Sequence, residues 1–175
     1  MKTMVTGRQK QLIKQVGEYL VAAELCRREL IATSFTGNVP VFDILAISSN
    51  EKMKTIQVKA TTTNSGWNFD AADYLIFDSS ENKSQFIKGT RKLPNSDMVF
   101  CFVKLGSFGK DNRNLERDVF YLVPVIELQK IIEGKYSAFL KKVDHIRPKK
   151  PESHHVKIKQ NDISAFKENW DCILA

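Results

Sequence analysis

The sequence predicts one soluble α/β domain, and three observations carry the prediction. The chain has 175 residues, 42% of them hydrophobic, a size that buries a single core more readily than two. Its N-terminal part repeats apolar residues with a helical period, and its middle alternates β-branched and aromatic runs with turn-forming residues. No internal repeat, low-complexity tract or linker divides residues 1–175, so the whole chain is expected to form one unit with one site.

The first element is a helix over 8–30, where Leu12, Val16, Leu20, Ala23 and Leu30 recur at helical spacing with no proline and one interior glycine. Its middle, VGEYLVAAELC, is apolar almost all round, which predicts cover on more than one flank. LIATSF, VFDILAI and TIQVKAT follow as strands of a β-meander, separated by the turn-prone TGNVP and the polar SSNEKMK. Further strands are expected at 74–77, 98–105 and 119–123, for a sheet of roughly four to six strands. The polar stretches 79–97 and 107–118 read as loops. Pro124 precedes a second helix, VIELQKIIEGKYSAFLKK, with Gly134 as a point of interruption. A last helix over 161–174 sets Ile163, Phe166, Trp170 and Ile173 at helical spacing to close the core, capped by Asn161 or Asp162.

No apolar run approaches the roughly 18–20 residues a membrane helix needs, and the N-terminus stays polar where a secretory signal turns apolar. A cytoplasmic protein with no membrane partner is expected. Cys26, Cys101 and Cys172 are odd in number and each sits among apolar neighbours, so they read as reduced core residues. Lys plus Arg exceed Asp plus Glu by 27 to 20, for a net charge of +7, which favours polyanionic partners without selecting one. Neither a phosphate-binding loop, a dinucleotide glycine pattern, a serine-hydrolase elbow nor a zinc-protease helix motif is present.

The chemistry is expected around the second and third strands. Residues two apart share a strand face, so Gln57 and Lys59 point one way while Ile56, Val58 and Ala60 point the other. A hairpin turn centred near Glu51 sets Asp43 roughly opposite Lys59. An acid inside VFDILAI needs a partner, because an unpaired buried carboxylate costs several kcal/mol. That partner is either a cation or, in the structural alternative, a lysine ion pair or an exposed strand edge. On the first helix Glu18 shares one stripe with Val21, Ala22 and Leu25, which puts a carboxylate on an apolar face. Glu24 is rotated by about 120° from it, where an ordinary surface or ion-pair role fits better. A purely structural role for both glutamates is the other reading.

GEYLVAAEL, FDILAI and IQVKAT, in that order and spacing, resemble the helix-Glu, Asp and (D/E/Q)xK elements of the PD-(D/E)xK nuclease superfamily. Within it they look similar to archaeal Holliday-junction resolvases, over residues 10–61. The resemblance implies a restriction-endonuclease-like α/β/α core, a central mixed β-sheet flanked by helices. It implies that Glu18, Asp43, the Gln57 side-chain carbonyl and the Val58 backbone carbonyl hold Mg²⁺ or Mn²⁺, and that Lys59 positions or activates the attacking water. The implied function is an endonuclease cleaving DNA phosphodiesters with Glu18, Asp43, Gln57 and Lys59, in a family whose members often cut both strands as homodimers. Such residues suit the chemistry, since Mg²⁺ takes hard oxygen ligands and keeps several waters. Two departures stand out: Phe42 precedes Asp43 where the family has proline, and Gln57 replaces an acid. Gln57 favours the alternative of the same fold kept without turnover, as a module that binds nucleic acid or a protein. A globular protein with no nucleic-acid role is a third reading.

Residues 141–159 carry seven Lys or Arg, with only Asp144 and Glu152 as acids, and all three histidines, His145, His154 and His155. Arg147, Lys149, Lys150 and Lys157 either grip phosphates or belong to a solvated, partly flexible loop. As a zinc site the strip is weak, because adjacent His154 and His155 face opposite ways on a strand and no cysteine is near. Trp67 and Phe69 flank Asn68 just after the third strand and read as core in preference to base-stacking residues.

Overall fold

A computed structural model describes residues 7–35, 41–79, 83–106 and 116–174. The expected TGNVP turn, 36–40, and most of the expected loop 107–118 lie outside the described residues. The architecture is α/β, with a central mixed five-stranded sheet flanked by helices.

Helix α1 spans Gly7–Cys26. It stops short of the expected residue 30 because Glu29 adopts a left-handed conformation (φ 64°) and the Leu30 N–H turns back to the Leu25 carbonyl, which satisfies an orphan acceptor and closes the helix without glycine. Strands β1 (Ile31–Ser34), β2 (Ile44–Ile47) and β3 (Met53–Thr61) form the expected antiparallel meander. The central sheet then adds β7 (Val99–Lys104), parallel to β3, and β8 (Val119–Pro124), antiparallel to β7, in the order β1-β2-β3-β7-β8.

Between β3 and β7 the chain makes β4 (Trp67–Asp70), β5 (Leu75–Ser79) and β6 (Gln85–Thr90). Strand β6 occupies the middle of the stretch 79–97 expected as loop: Gln85 and Ile87 turn inward and alternate with exposed Phe86 and Lys88, a pattern too short and too mixed to declare itself in sequence. It pairs with β5, and β4 pairs with β9 (His155–Ile158). This last pairing buries Trp67, Phe69, Val156 and Ile158, so Trp67 and Phe69 are core as expected, and part of the basic strip is ordered strand.

Helix α2 (Val125–Lys142) runs through Gly134 uninterrupted, because that glycine is exposed and has open space about it. It covers one sheet face with Leu128, Ile132 and Tyr136 over Phe100, Phe102 and Val123. Helix α1 covers the other, with Val21 and Leu25 over Ile44, Ile56, Val58 and Cys101. Strand β7 is therefore buried on both faces, which accounts for its continuous apolar run.

Three expectations are corrected. The α1 outer face is uncovered among the described residues: Leu12, Val16 and Tyr19 are exposed, since α1 packs through its Val21–Leu25 side while α2 lies on the opposite face of the sheet. Cys26 falls on that outer side at the helix end and is exposed, whereas Cys101 is buried and Cys172 half-buried. The expected helix over 161–174 is instead a 3₁₀ segment, Gln160–Phe166, and a short α3, Asp171–Leu174. An extended Lys167 that bridges to Tyr121, followed by Glu168 at φ 53°, breaks the helix, yet Ile163, Trp170 and Ile173 still plug the core.

Gly17 sets how closely α1 approaches the sheet. A Cβ there would sit 2.5 Å from the Ala60 Cβ on β3. Gly17→Ala gains about 1 kcal/mol of helix propensity but overpacks a close helix–strand contact, typically a loss of about 1–3 kcal/mol. The expected net result is a lower urea midpoint; a raised midpoint would show that α1 rides further from β3.

Candidate functional site

The site forms beyond the last β2–β3 pair, on the edge of β3 that faces away from β7. The last β2 pair is Ile44 with Ile56, so Asp43 lies opposite Gln57. The expected partner was Lys59. The turn is centred at Asn50 and not at Glu51, with Glu51 left-handed at φ 64°, and moving a hairpin centre by one residue moves every cross-strand partner by two. The Asp43 N–H still donates to Ile56, as in a ladder, but its side chain then takes over the strand's task. Asp43 Oδ2 accepts from the buried Val58 N–H at 2.7 Å and from Gln57 Nε2 at 2.6 Å. The carboxylate thus caps the edge that β2 leaves open on β3.

Helix α1 brings Glu18 to the same place. Its side chain is only 16% exposed, and its stripe-mates Val21 and Leu25 are fully buried, as the helical spacing predicts. Burial first, and the neighbouring Asp43 carboxylate second, raise the Glu18 pKa, while Lys14 partly opposes the rise. Between the two carboxylates stands a residue the sequence reading did not single out: Lys14 Nζ lies 3.3 Å from Glu18 Oε1 and 3.2 Å from Asp43 Oδ1. Burial tends to lower the Lys14 pKa, but Asp43 and Glu18 outweigh it and the net shift is upward. The i,i+4 spacing of Lys14 and Glu18 was the one signal available.

Lys59 points to the other side of β3, into a cavity of about 350 Å³ lined by Gln57, Asn68, Phe69, Asp70, Asp73 and Tyr74 among others. Its ammonium sits 5.0 Å from the Phe69 ring centre. Burial lowers its pKa, the attraction of Asp43 opposes that, Lys14 repels it, and Asp73 attracts it. Asn68 and the two aspartates escaped the sequence reading because they reach the cavity only through the β4–β9 pairing.

Glu24 takes the structural role expected of it. It pairs with Arg27 and Arg28, and the Arg28 guanidinium lies 4.1 Å over Trp170, which ties the segment just after α1 to the residue just before α3. The two glutamates should therefore respond oppositely to neutralisation. A carboxyl whose folded pKa is raised binds its proton more tightly in the folded state, so the charged form costs stability above that pKa and the cost vanishes below the unfolded value. Glu18→Gln should melt higher than the parent at pH 7, with the difference closing as pH falls through the carboxylate range. Glu24→Gln weakens one exposed and one partly buried ion pair, a loss of about 1 kcal/mol, and should melt lower. The reverse order at pH 7 would refute the assignment.

Away from this cluster, Arg147 donates to the His155 carbonyl at 2.9 Å and stacks 4.9 Å from the Phe139 ring. Lys149 and Lys150 are exposed beside it, rimming a shallow cavity of about 520 Å³. Lys157 pairs with Asn68 across the β4–β9 ribbon, so the ribbon links the basic strip to the Lys59 cavity. His145 stacks on Phe86 and His154 on Phe77, and these packing roles account for both rings.

For a divalent cation the donor chemistry fits in part. Glu18 and Asp43 offer hard oxygens at a position where a cation, the Lys14 ammonium, already bridges them. The Val58 carbonyl leaves β3 on the same edge as its N–H, toward Asp43. Gln57 fits only after its amide turns over, since it presents its nitrogen to Asp43. Among the described residues no group of three or more His, Cys, Asp and Glu side chains is gathered about one point.

Neither a family model nor a curated protein matches this sequence. Among solved structures the chain is similar to a bacterial homing endonuclease, with a TM-score of 0.43, 11% identity, and coverage of 94% of this chain and 92% of the other. Likeness at that level leaves the chemistry to be argued from this chain's own side chains. Among the described residues, no helix is long and apolar enough to cross a membrane.

Proposed function

We propose that the chain is a divalent-metal-dependent endonuclease acting on DNA, on a PD-(D/E)xK-type site. The observation that carries this reading is the pair of partly buried carboxylates, Glu18 from α1 and Asp43 from the start of the β2–β3 hairpin, held about the Lys14 ammonium, with Lys59 on the opposite face of the same β3 segment. Glu18, Asp43 and the Val58 carbonyl would hold Mg²⁺ or Mn²⁺, with Gln57 joining once its amide has turned. A divalent ion there supplies positive charge at the scissile phosphate and makes the attacking water more acidic. Lys59, half-buried and held over Phe69, presents a fixed ammonium to the charge that builds on the phosphoryl oxygens. Net charge +7 and the exposed lysines 149 and 150, with Arg147 and Lys157, draw in the polyanion. A homodimer would carry two such sites to the two strands, and the cytoplasm is the compartment this reading implies.

A second reading has its own observation. Asp43 is already satisfied by Lys14, Gln57 and Val58, so the cluster is complete as a structural network. On that reading the fold binds nucleic acid or protein without turnover.

Nicking of supercoiled plasmid with Mg²⁺ or Mn²⁺ decides between them. Wild type should nick, and Lys59→Met should slow nicking by roughly 10²–10³-fold, the usual loss for one preorganised charge donor. The same variant should be at least as stable as the parent at pH 7. A lysine with a depressed folded pKa costs stability below that pKa, and methionine removes the buried charge. Metal-dependent nicking that survives in Lys59→Met would remove Lys59 from the site.

A further inference from the structure

The Lys14 ammonium lies 3.3 Å from Glu18 Oε1 and 3.2 Å from Asp43 Oδ1, so it occupies the space between the two carboxylates. We propose that Lys14 is a built-in competitor for the divalent cation: it holds the carboxylates together when no metal is bound, must leave for metal to enter, and so sets the metal affinity of the site. The inference rests on the metal-site reading above.

Three features of Lys14 suit an exchange. Its side chain is 59% exposed, so the ammonium can swing to solvent without disturbing the core. It stands one helical turn before Glu18, on the same face of α1, so the long stem reaches the carboxylates from outside the sheet. Its two contacts are single and both go to carboxylate oxygens, whereas Asp43 Oδ2 is anchored separately by Val58 and Gln57. Removal of the lysine therefore leaves Asp43 in place. A divalent ion carries twice the charge of the ammonium and would be held by the same two carboxylates, so the two cations would exclude each other.

Competition of this kind makes the apparent metal affinity weaker than the carboxylates alone would give, by the factor with which Lys14 occupies the site. Lys14→Gln removes the competitor. Without metal the variant should melt lower than the parent, because Glu18 and Asp43 then face each other with no charge between them. On addition of Mg²⁺ or Mn²⁺ its melting temperature should rise more than the parent's, and calorimetry should give a dissociation constant roughly tenfold lower, within the range usual for coupled sites. Lys14→Arg keeps the charge and should bind metal no more tightly than wild type. Lys10→Gln, one turn further out on α1 and exposed, removes the same charge without the contact and should also bind like wild type.

Wild type supplies an independent readout that needs no variant to fold beyond Lys14→Arg, used for assignment. With ¹³Cε-labelled lysine, the Lys14 signal should move on addition of Mg²⁺ in step with the melting temperature. The inference is overturned if Lys14→Gln binds metal no more tightly than wild type, if Lys10→Gln gains as much, or if the Lys14 signal stays still while metal stabilises the protein. Each of those leaves the metal site itself standing. Failure of Mg²⁺ and Mn²⁺ to bind wild type and Lys14→Gln alike overturns both the inference and the metal-site reading.

Discussion

Asp43→Ala is expected to lower the unfolding free energy by about 2–4 kcal/mol and to abolish metal-dependent cleavage. The stability loss comes from what the carboxylate does for the strand. Its Oδ2 is the acceptor for the Val58 N–H, which is buried where β2 no longer pairs with β3, and for the Gln57 amide. A buried donor left without its acceptor costs about 1–3 kcal/mol, and alanine strands one such donor and exposes another. It also deprives Lys14 of one of its two partners. Loss of cleavage in this variant thus has two causes, damage to the fold and loss of the ligand.

Asp43→Asn separates them. The amide oxygen still accepts from Val58, so the variant should lie within about 1 kcal/mol of the parent, the net worth of a typical hydrogen bond. It no longer carries the charge that a divalent cation needs, so cleavage should be lost all the same. Guanidinium unfolding and plasmid nicking measure the two effects side by side. Asp43→Asn that nicks like wild type would end the assignment of Asp43 as a ligand, and Asp43→Ala as stable as wild type would show that the Val58 cap is dispensable.

How much of this was open to reading from the sequence depended on distance along the chain. Asp43 and Glu18 were identifiable singly, because each interrupts an apolar pattern whose period fixes where its neighbours point. The meander was legible for the same reason, as was the strand at 98–105. The hairpin register was not, since SSNEKMK allows more than one turn and the pairing of Asp43 hangs on which closes. Lys14 was missed because only its link to Glu18 is local; its contact with Asp43 needs α1 packed on β3 through Gly17. The same holds for Asn68 and Asp70, placed by a ribbon that joins distant segments. The outer face of α1 misled in the opposite direction: apolar residues all round a helix predict cover, yet Leu12, Val16 and Tyr19 stay exposed.

Gln57→Glu is expected to destabilise the metal-free protein by about 2–3 kcal/mol, the worth of a hydrogen bond to a charged group, and to be rescued by Mg²⁺ or Mn²⁺. Gln57 Nε2 donates to Asp43 at 2.6 Å. Glutamate puts an acceptor there instead, so a favourable contact becomes a repulsive one, with Glu18 as a further negative neighbour. For a domain of this size each kcal/mol moves the melting temperature by roughly 2–4 °C, so the metal-free loss should be plainly visible. If the cluster is a metal site, the third carboxylate completes the acidic set that Gln57 leaves unfinished, and affinity rises. Saturation at a hundred times the dissociation constant then returns about 2.7 kcal/mol, enough to offset the whole loss. The diagnostic is therefore the difference between two melting curves: small for wild type with and without metal, large for Gln57→Glu. Rescue that appears only with the divalent ion, and not with equal ionic strength of sodium chloride, supports the nuclease-type site, because screening alone weakens repulsion in either salt. Destabilisation that neither Mg²⁺ nor Mn²⁺ reverses would mean that Lys14, Asp43 and Gln57 form a closed structural network, and the binding-module reading would replace the enzyme.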